Sequence, residues 1–237
     1  MKHIYVLLIL VLLPATAQAQ LLEWQSNNVQ LLHGSGFELN DDRVQTTFTF
    51  EHANGWTYGD NFFYVDYNLD QSEDINAEFS PRLSAGKILG KDLSNGIFQD
   101  VLLSGTYEKA RRFEAFLYGV GVDLNIPGFS FVQTNWYIRD NPDANGTGAQ
   151  TTWVWSRPFE VAGQKMTFDG YFDYADYEEG VSNFFTQPQL LLDIGHATGL
   201  APEGKAFAGI EYRYWHNKFG VDGVTEIAPQ GLVKFVF

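Results

Sequence analysis

From about residue 26 to its last residue the chain alternates: polar and apolar side chains take turns through one short segment after another, each stopping at Gly, Asn, Asp or Pro. A period of two is the pleat of a β-strand, whose successive side chains point to opposite faces. Twelve such segments lie near 26–34, 43–52, 56–67, 75–84, 101–109, 112–124, 129–139, 149–159, 165–175, 185–194, 206–216 and 229–237. Val44, Thr46, Phe48 and Phe50 alternate with Gln45, Thr47, Thr49 and Glu51. Ala77, Phe79, Pro81 and Leu83 alternate with Glu78, Ser80, Arg82 and Ser84, and Pro188, Leu190 and Leu192 stand opposite Gln187, Gln189, Leu191 and Asp193. At about ten residues per membrane-crossing strand, such a chain holds twelve strands with short connections.

A soluble sandwich alternates in the same way, with its apolar face inward. The aromatics favour a barrel. They make up 16% of the chain and gather near strand ends, at Trp56-Thr57-Tyr58, Trp136-Tyr137, Trp153 with Trp155, and Tyr212 to Trp215, as interfacial girdles do. Cysteine is absent, which removes the disulfide framework of small secreted scaffolds. Gly231, Val233, Phe235 and Phe237 form one face of a strand that ends on the terminal carboxylate. Outer-membrane barrels commonly finish this way, and by that association Phe235 and Phe237 are expected to signal to the machinery that inserts such barrels. At the other end, Lys2 and His3, the apolar run Ile4 to Leu13 and Ala17-Gln18-Ala19 follow the plan of a cleaved secretory signal. After Leu13 no apolar run approaches the roughly 20 residues of a spanning helix. The expectation is a signal peptide over 1–19 and, over 20–237, an all-β, transmembrane, antiparallel up-and-down β-barrel of about twelve strands in the outer membrane of a Gram-negative-type cell.

The formal net charge of −14 argues against nucleic acid and against direct binding of acidic headgroups. With both ends on the periplasmic side, the connections 35–42, 68–75, 140–148, 176–184 and 217–226 face outward; they carry acids from Glu38 through to Glu226, opposed only by Lys218. Such a rim reads as solvated surface, or as carboxylates that take divalent cations bridging to surface lipopolysaccharide. Short inner turns are expected at Ala53-Asn54-Gly55, 125–128 and around Ala162-Gly163, whereas 85–100 and 195–205 are too long for the same role.

No motif carries catalytic chemistry. His33, His52, His196 and His216 lack metal-ligand spacing, and no histidine stands in a recognisable relation to a nucleophile. The run Asn141 to Gly146 imitates a calcium loop but lacks its leading Asp, and Thr152 occupies the place of the required Glu. Gly119 and Gly121 read as packing relief within a strand. No catalytic residue, metal site or cofactor is expected. What remains is the inward-facing set. By parity it comprises Asp60, Tyr64, Asp66, Glu78, Arg82, Gln189, Asp193, Glu211, Arg213 and Trp215, the candidate contacts for a solute in a water-filled lumen. The alternative is bracing, with Glu78 pairing Arg82 and Glu211 pairing Arg213 across the interior.

Several strings carry a family likeness: Trp24 to Asn27, Gly59 to Tyr67, Glu78 to Ser84, Gly119 to Asn125, Gln187 to Leu190 and Tyr212 to Gly220. They resemble the Tsx-like nucleoside-specific channel family, in its OmpK-like branch, over nearly the whole chain after residue 19. The resemblance implies a twelve-stranded monomeric barrel with a narrow lumen, passive uptake of nucleosides and related small solutes, and in some members service as a phage receptor. A barrel with a plugged lumen serving structure or surface recognition, and a barrel enzyme, are the competing readings.

Overall fold

A computed structural model describes residues 21–39, 43–70, 75–111, 113–177 and 180–237. The expected signal peptide, residues 1–19, lies outside the described residues. The strands are β1 (Leu22–Ser35), β2 (Val44–Trp56), β3 (Gly59–Asn68), β4 (Ile75–Ser84), β5 (Phe98–Ala110), β6 (Phe113–Leu124) and β7 (Phe131–Asp140). They continue as β8 (Gly148–Val161), β9 (Gln164–Asp176), β10 (Asn183–Thr186), β11 (Gln189–Asp193), β12 (Ala206–His216) and β13 (Thr225–Val236). Consecutive strands pair antiparallel, except that β10 and β11 pair with β9 and β12 and not with each other, and β1 pairs with β13, Asn28 opposite Val236 and Gly34 opposite Gln230, which closes the sheet on itself. Closure leaves no open edge, the condition for a sheet to span a membrane. Both β10 and β11 lie between β9 and β12. They are one stave, interrupted at Gln187-Pro188 because Pro188 has no N–H for the ladder, and the described residues form twelve staves.

Burial follows the pleat. On β5, Leu102 is 2% exposed while Leu103, next to it, is 64% exposed. The outer face carries exposed Phe79, Val101, Phe116, Val120, Ile138 and Ile210; the inner face carries most of the polar groups. Among the described residues the clusters of fully buried apolar side chains are small, one of Leu32, Leu191 and Leu232 with Phe207 against it, another of Ala115, Leu117 and Tyr137. The barrel is held by its closed hydrogen-bond ladder and its interior polar bonds rather than by an oily centre.

Several expectations need correction. Ala53-Asn54-Gly55 is not a turn but the end of β2. Gly55 is needed there because Trp24 lies on it: a Cβ would sit 2.1 Å from the Trp24 indole nitrogen. The hairpin turns instead at Thr57-Tyr58. The long inner connections hold short helices, α1 (Ala85–Leu89) and α2 (Ile194–Thr198). Ser84 caps α1 by accepting from the Lys87 N–H, and left-handed Gly90 ends it. Asp193 and Gly199 do the same for α2, as side-chain caps and αL glycines generally do. The last strand begins at Thr225, so Glu226 belongs to the barrel wall and not to an outer loop. Tyr137, read as a girdle aromatic, points inward and is buried, as is Trp215, which stood in both the girdle and the inward-facing set, whereas Trp136 stands on the outer face. The run from Asn141 is a turn, as its turn chemistry leads one to expect: the Asn141 side chain accepts from the Asp143 N–H at 2.9 Å and its carbonyl from the Ala144 N–H at 3.0 Å.

Candidate functional site

The alternation places all ten parity-derived residues on the interior side of the wall. Their partners differ from the pairings the sequence suggests. Arg82 does not pair with Glu78: it holds Asp60 on β3 through two bonds of 2.8 and 2.7 Å and reaches Asp123 on β6 at 2.8 Å. Reaching Asp123 means passing over β5; Gly121 of β6 lies beside that contact, where a Cβ would meet Asn135 Oδ1 at 2.6 Å and stand in ordinary contact with Arg82 Nη1 at 3.7 Å. Glu78 accepts instead from Ser80, and it stands directly opposite Glu108 of β5. Arg139 of β7 binds Glu108 at 2.8 Å and Gln150 at 2.7 Å, so one guanidinium serves this acidic sector.

Nor does Arg213 pair with Glu211. Glu211 is surrounded by amides, accepting from Gln187 and Gln189 at 2.8 Å and from Gln230 at 2.9 Å. The belt continues through Gln189 to Gln30 at 3.0 Å, Gln30 to Asn28 at 3.1 Å and Asn28 to Glu51 at 2.7 Å, with Lys234 beyond at 3.7 Å. Arg213 instead donates to Glu226 at 2.7 Å. Tyr64 accepts from Asn76 at 3.1 Å and Asp66 from Thr49. Asp193 is inward-facing but committed to structure, its carboxylate taking the backbone N–H groups of His196 at 3.0 Å and Gly204 at 2.7 Å.

A ladder of rings climbs the wall formed by β9, β10 and β12. Tyr171 meets Phe185 edge-on at 5.7 Å, Phe185 lies 4.5 Å from Trp215, and Trp215 meets Phe219 at 4.5 Å in the outer turn. Arg213 stands 4.9 Å over the Phe185 ring, a cation on a π-face. The Tyr171 hydroxyl donates to Gln187, joining the ladder to the Glu211 amide belt. Asp123, Glu108, Arg139, Asp173, Tyr171 and Phe185 escaped the sequence reading. Each shares the parity of an inward neighbour on its own strand, which is the signal that would have found them. The histidines stay apart: His33, His52 and His216 bond to Thr46, Asn27 and Thr225 of adjacent strands at 3.0, 2.7 and 3.0 Å.

The family described as "Nucleoside-specific channel-forming protein, Tsx" matches residues 19–232. The chain belongs to this family. Among its relatives are the outer membrane protein OmpK of Vibrio parahaemolyticus, 28% identical over 185 residues, and an OmpK from serotype O3:K6 of the same species, 32% identical over 193 residues. Each match covers 71% of this chain and 64% or 66% of the relative, so the chain spans just under two thirds of the length of these relatives. Among solved structures, the KdgM porin in complex with disordered oligogalacturonate superimposes with a TM-score of 0.55 at 8% identity, over 90% of this chain and 99% of that one. The NanC porin gives 0.54 at 10% identity, over 88% and 98%. These likenesses show the fold, a porin-like barrel. The protein is an outer-membrane protein of a Gram-negative-type cell, and its apolar outer face meets lipid.

Proposed function

We propose that this protein is a passive outer-membrane channel for small solutes, and that nucleosides or closely related molecules are among them. The observation that carries this reading is the ring ladder Tyr171–Phe185–Trp215 beside the Glu211 amide belt. A nucleoside has a flat base and a hydroxyl-bearing sugar. Rings take the base by stacking, and carboxylates and amides take the hydroxyls by hydrogen bonds. Both contacts must be weak enough to release the solute, as conduction requires. The concentration gradient supplies the drive, so the reading involves neither a covalent step nor a cofactor. A barrel enzyme is disfavoured by the dispersal of the histidines and by the family.

The same reading covers the partners. The terminal residues Phe235 and Phe237 are outward and exposed, which supports their recognition by the insertion machinery. The acidic outer connections support divalent-cation bridges to lipopolysaccharide, without Glu226 and Lys218, which are engaged inside; phage adsorption would use the same outer connections. The resemblance to the family supports a monomer. Vesicles loaded with radiolabelled thymidine test the channel: rapid efflux from vesicles carrying the protein is expected, and retention equal to protein-free vesicles defeats the proposal.

A further inference from the structure

Glu226 lies on the inner face at the outer end of β13 and is fully buried. Three groups converge on its carboxylate. Arg213 of β12 donates to Oε1 at 2.7 Å, Lys218 of the outer turn donates to Oε2, and the backbone N–H of Glu38, in the first outer connection, donates to Oε2 at 2.8 Å. Lys218 also donates to the Glu38 carbonyl at 2.8 Å. Two connections that begin at opposite ends of the sequence are thereby tied to one buried acid. Two unit charges on Arg213 and Lys218 face one on Glu226, and such a cluster is held only by good geometry and further hydrogen bonds.

The backbone is shaped for this. Gly36 has φ +105° and a Cβ there would lie 2.1 Å from the Ile227 carbonyl, so only glycine lets the first connection lie flat on β13. Next to it Phe37 is 2% exposed and sits 5.8 Å from the Arg213 guanidinium. Asn217 and Phe219 adopt left-handed φ of 51° and 57°, a strained state for a non-glycine residue that persists where surrounding contacts impose it. Lys218 then lies 5.4 Å from the Trp215 ring and 5.3 Å from Phe219, at the top of the ring ladder.

We propose that Glu226 is a positioning residue for permeation: it clasps residues 36–39 and 217–219 over the outer mouth, so that Phe37 and Lys218 narrow the entrance to the ring ladder. This rests on the channel reading, and it adds where solutes are selected by size. Glu226 acts through Phe37 and Lys218, without contact with the solute.

The test compares wild type with Glu226→Gln, Lys218→Met and Lys218→Arg, reconstituted in vesicles and planar bilayers. The first readout is labelling by an amine-reactive acylating reagent, mapped by mass spectrometry. Lys218 is 2% exposed, while Lys109 and Lys165 are about half exposed and serve as internal standards. Protection of Lys218 in wild type and its labelling in Glu226→Gln are expected; equal labelling in both overturns the clasp whether or not the barrel conducts. The second readout is size cut-off, measured with sugars of increasing length in vesicle swelling. Lys218→Met is expected to admit longer sugars severalfold faster, with Lys218→Arg close to wild type. A cut-off unchanged in Lys218→Met overturns the proposal while leaving the channel intact, whereas absence of any wild-type flux defeats the channel reading itself. If Glu226→Gln fails to insert, labelling of Phe37→Ala, which leaves the ion cluster in place but removes the packed ring, replaces it: Lys218 is expected to gain reactivity, and unchanged protection overturns the clasp.

Discussion

Arg82 on β4 reaches past β5 to take Asp123 on β6 at 2.8 Å, while its other edge holds Asp60 on β3. One side chain thus ties three staves from inside across a fourth, and at 3% exposure it does so almost out of contact with water. Removing one partner of a buried ion pair costs about 3–5 kcal/mol in a dry interior. Here Asp60 and Asp123 are 24% and 21% exposed, so they regain solvent and the cost falls to about 1–3 kcal/mol. Arg82→Met is expected to lower unfolding stability by this amount in urea titrations from lipid vesicles. An unchanged midpoint would remove the bracing role.

Gly121 is tied to the same brace. Gly121→Val places carbon against the buried Asn135 amide and the Arg82 guanidinium, and overpacking of this kind costs about 1–3 kcal/mol. The loss should shrink in the double variant with Arg82→Met, because the two changes disturb one contact. Simple additivity of the two losses would contradict it.

Glu203 lies in the connection before β12, outside the barrel wall. The Lys165 ammonium donates to it and His196 lies 3.3 Å away, and together they hold its carboxyl below the ordinary carboxylate range. A depressed carboxylate contributes stability that is present above its unfolded value and is lost as the pH falls through its folded one. The group is exposed and its contribution is small. Carbon-detected NMR titration should find Glu203 protonating below other exposed glutamates, and Lys165→Met should move it back toward them; no movement would mean the lysine is not the cause.

Trp215 and Phe185 separate conduction from selectivity. Stacking of a base on an aromatic ring is worth about 1–3 kcal/mol. Trp215→Ala or Phe185→Ala is therefore expected to keep or raise ion conductance while weakening nucleoside block about tenfold, since 1.4 kcal/mol is a factor of ten. Equal block in wild type and both variants would take the ladder out of the permeation path.

The barrel and the inward parity were legible in the sequence because both follow from a period of two. Strand pairing partners were not, and that is where the pairings failed. Arg82 takes Asp60 and Asp123 rather than Glu78, and which carboxylates lie within its reach is a fact of register between strands rather than of spacing along one. Asn54-Gly55 looked like a turn because glycine after asparagine usually bends a hairpin; here the glycine seats Trp24. Glu226 looked like a loop acid because turn residues precede it closely, yet the last strand extends to Thr225 and buries it. The helices α1 and α2 did leave a signal, Ser84 with Gly90 and Asp193 with Gly199, a cap and a left-handed stop at each.

The most direct test of the central claim is current through the purified protein in planar lipid bilayers, recorded before and after adding adenosine or thymidine. Discrete conductance steps are expected, with a current that falls in a saturable way with nucleoside and not with an equal concentration of sucrose. A bilayer that stays closed, or a current blind to nucleosides, would contradict it, the first for the channel and the second for its selectivity.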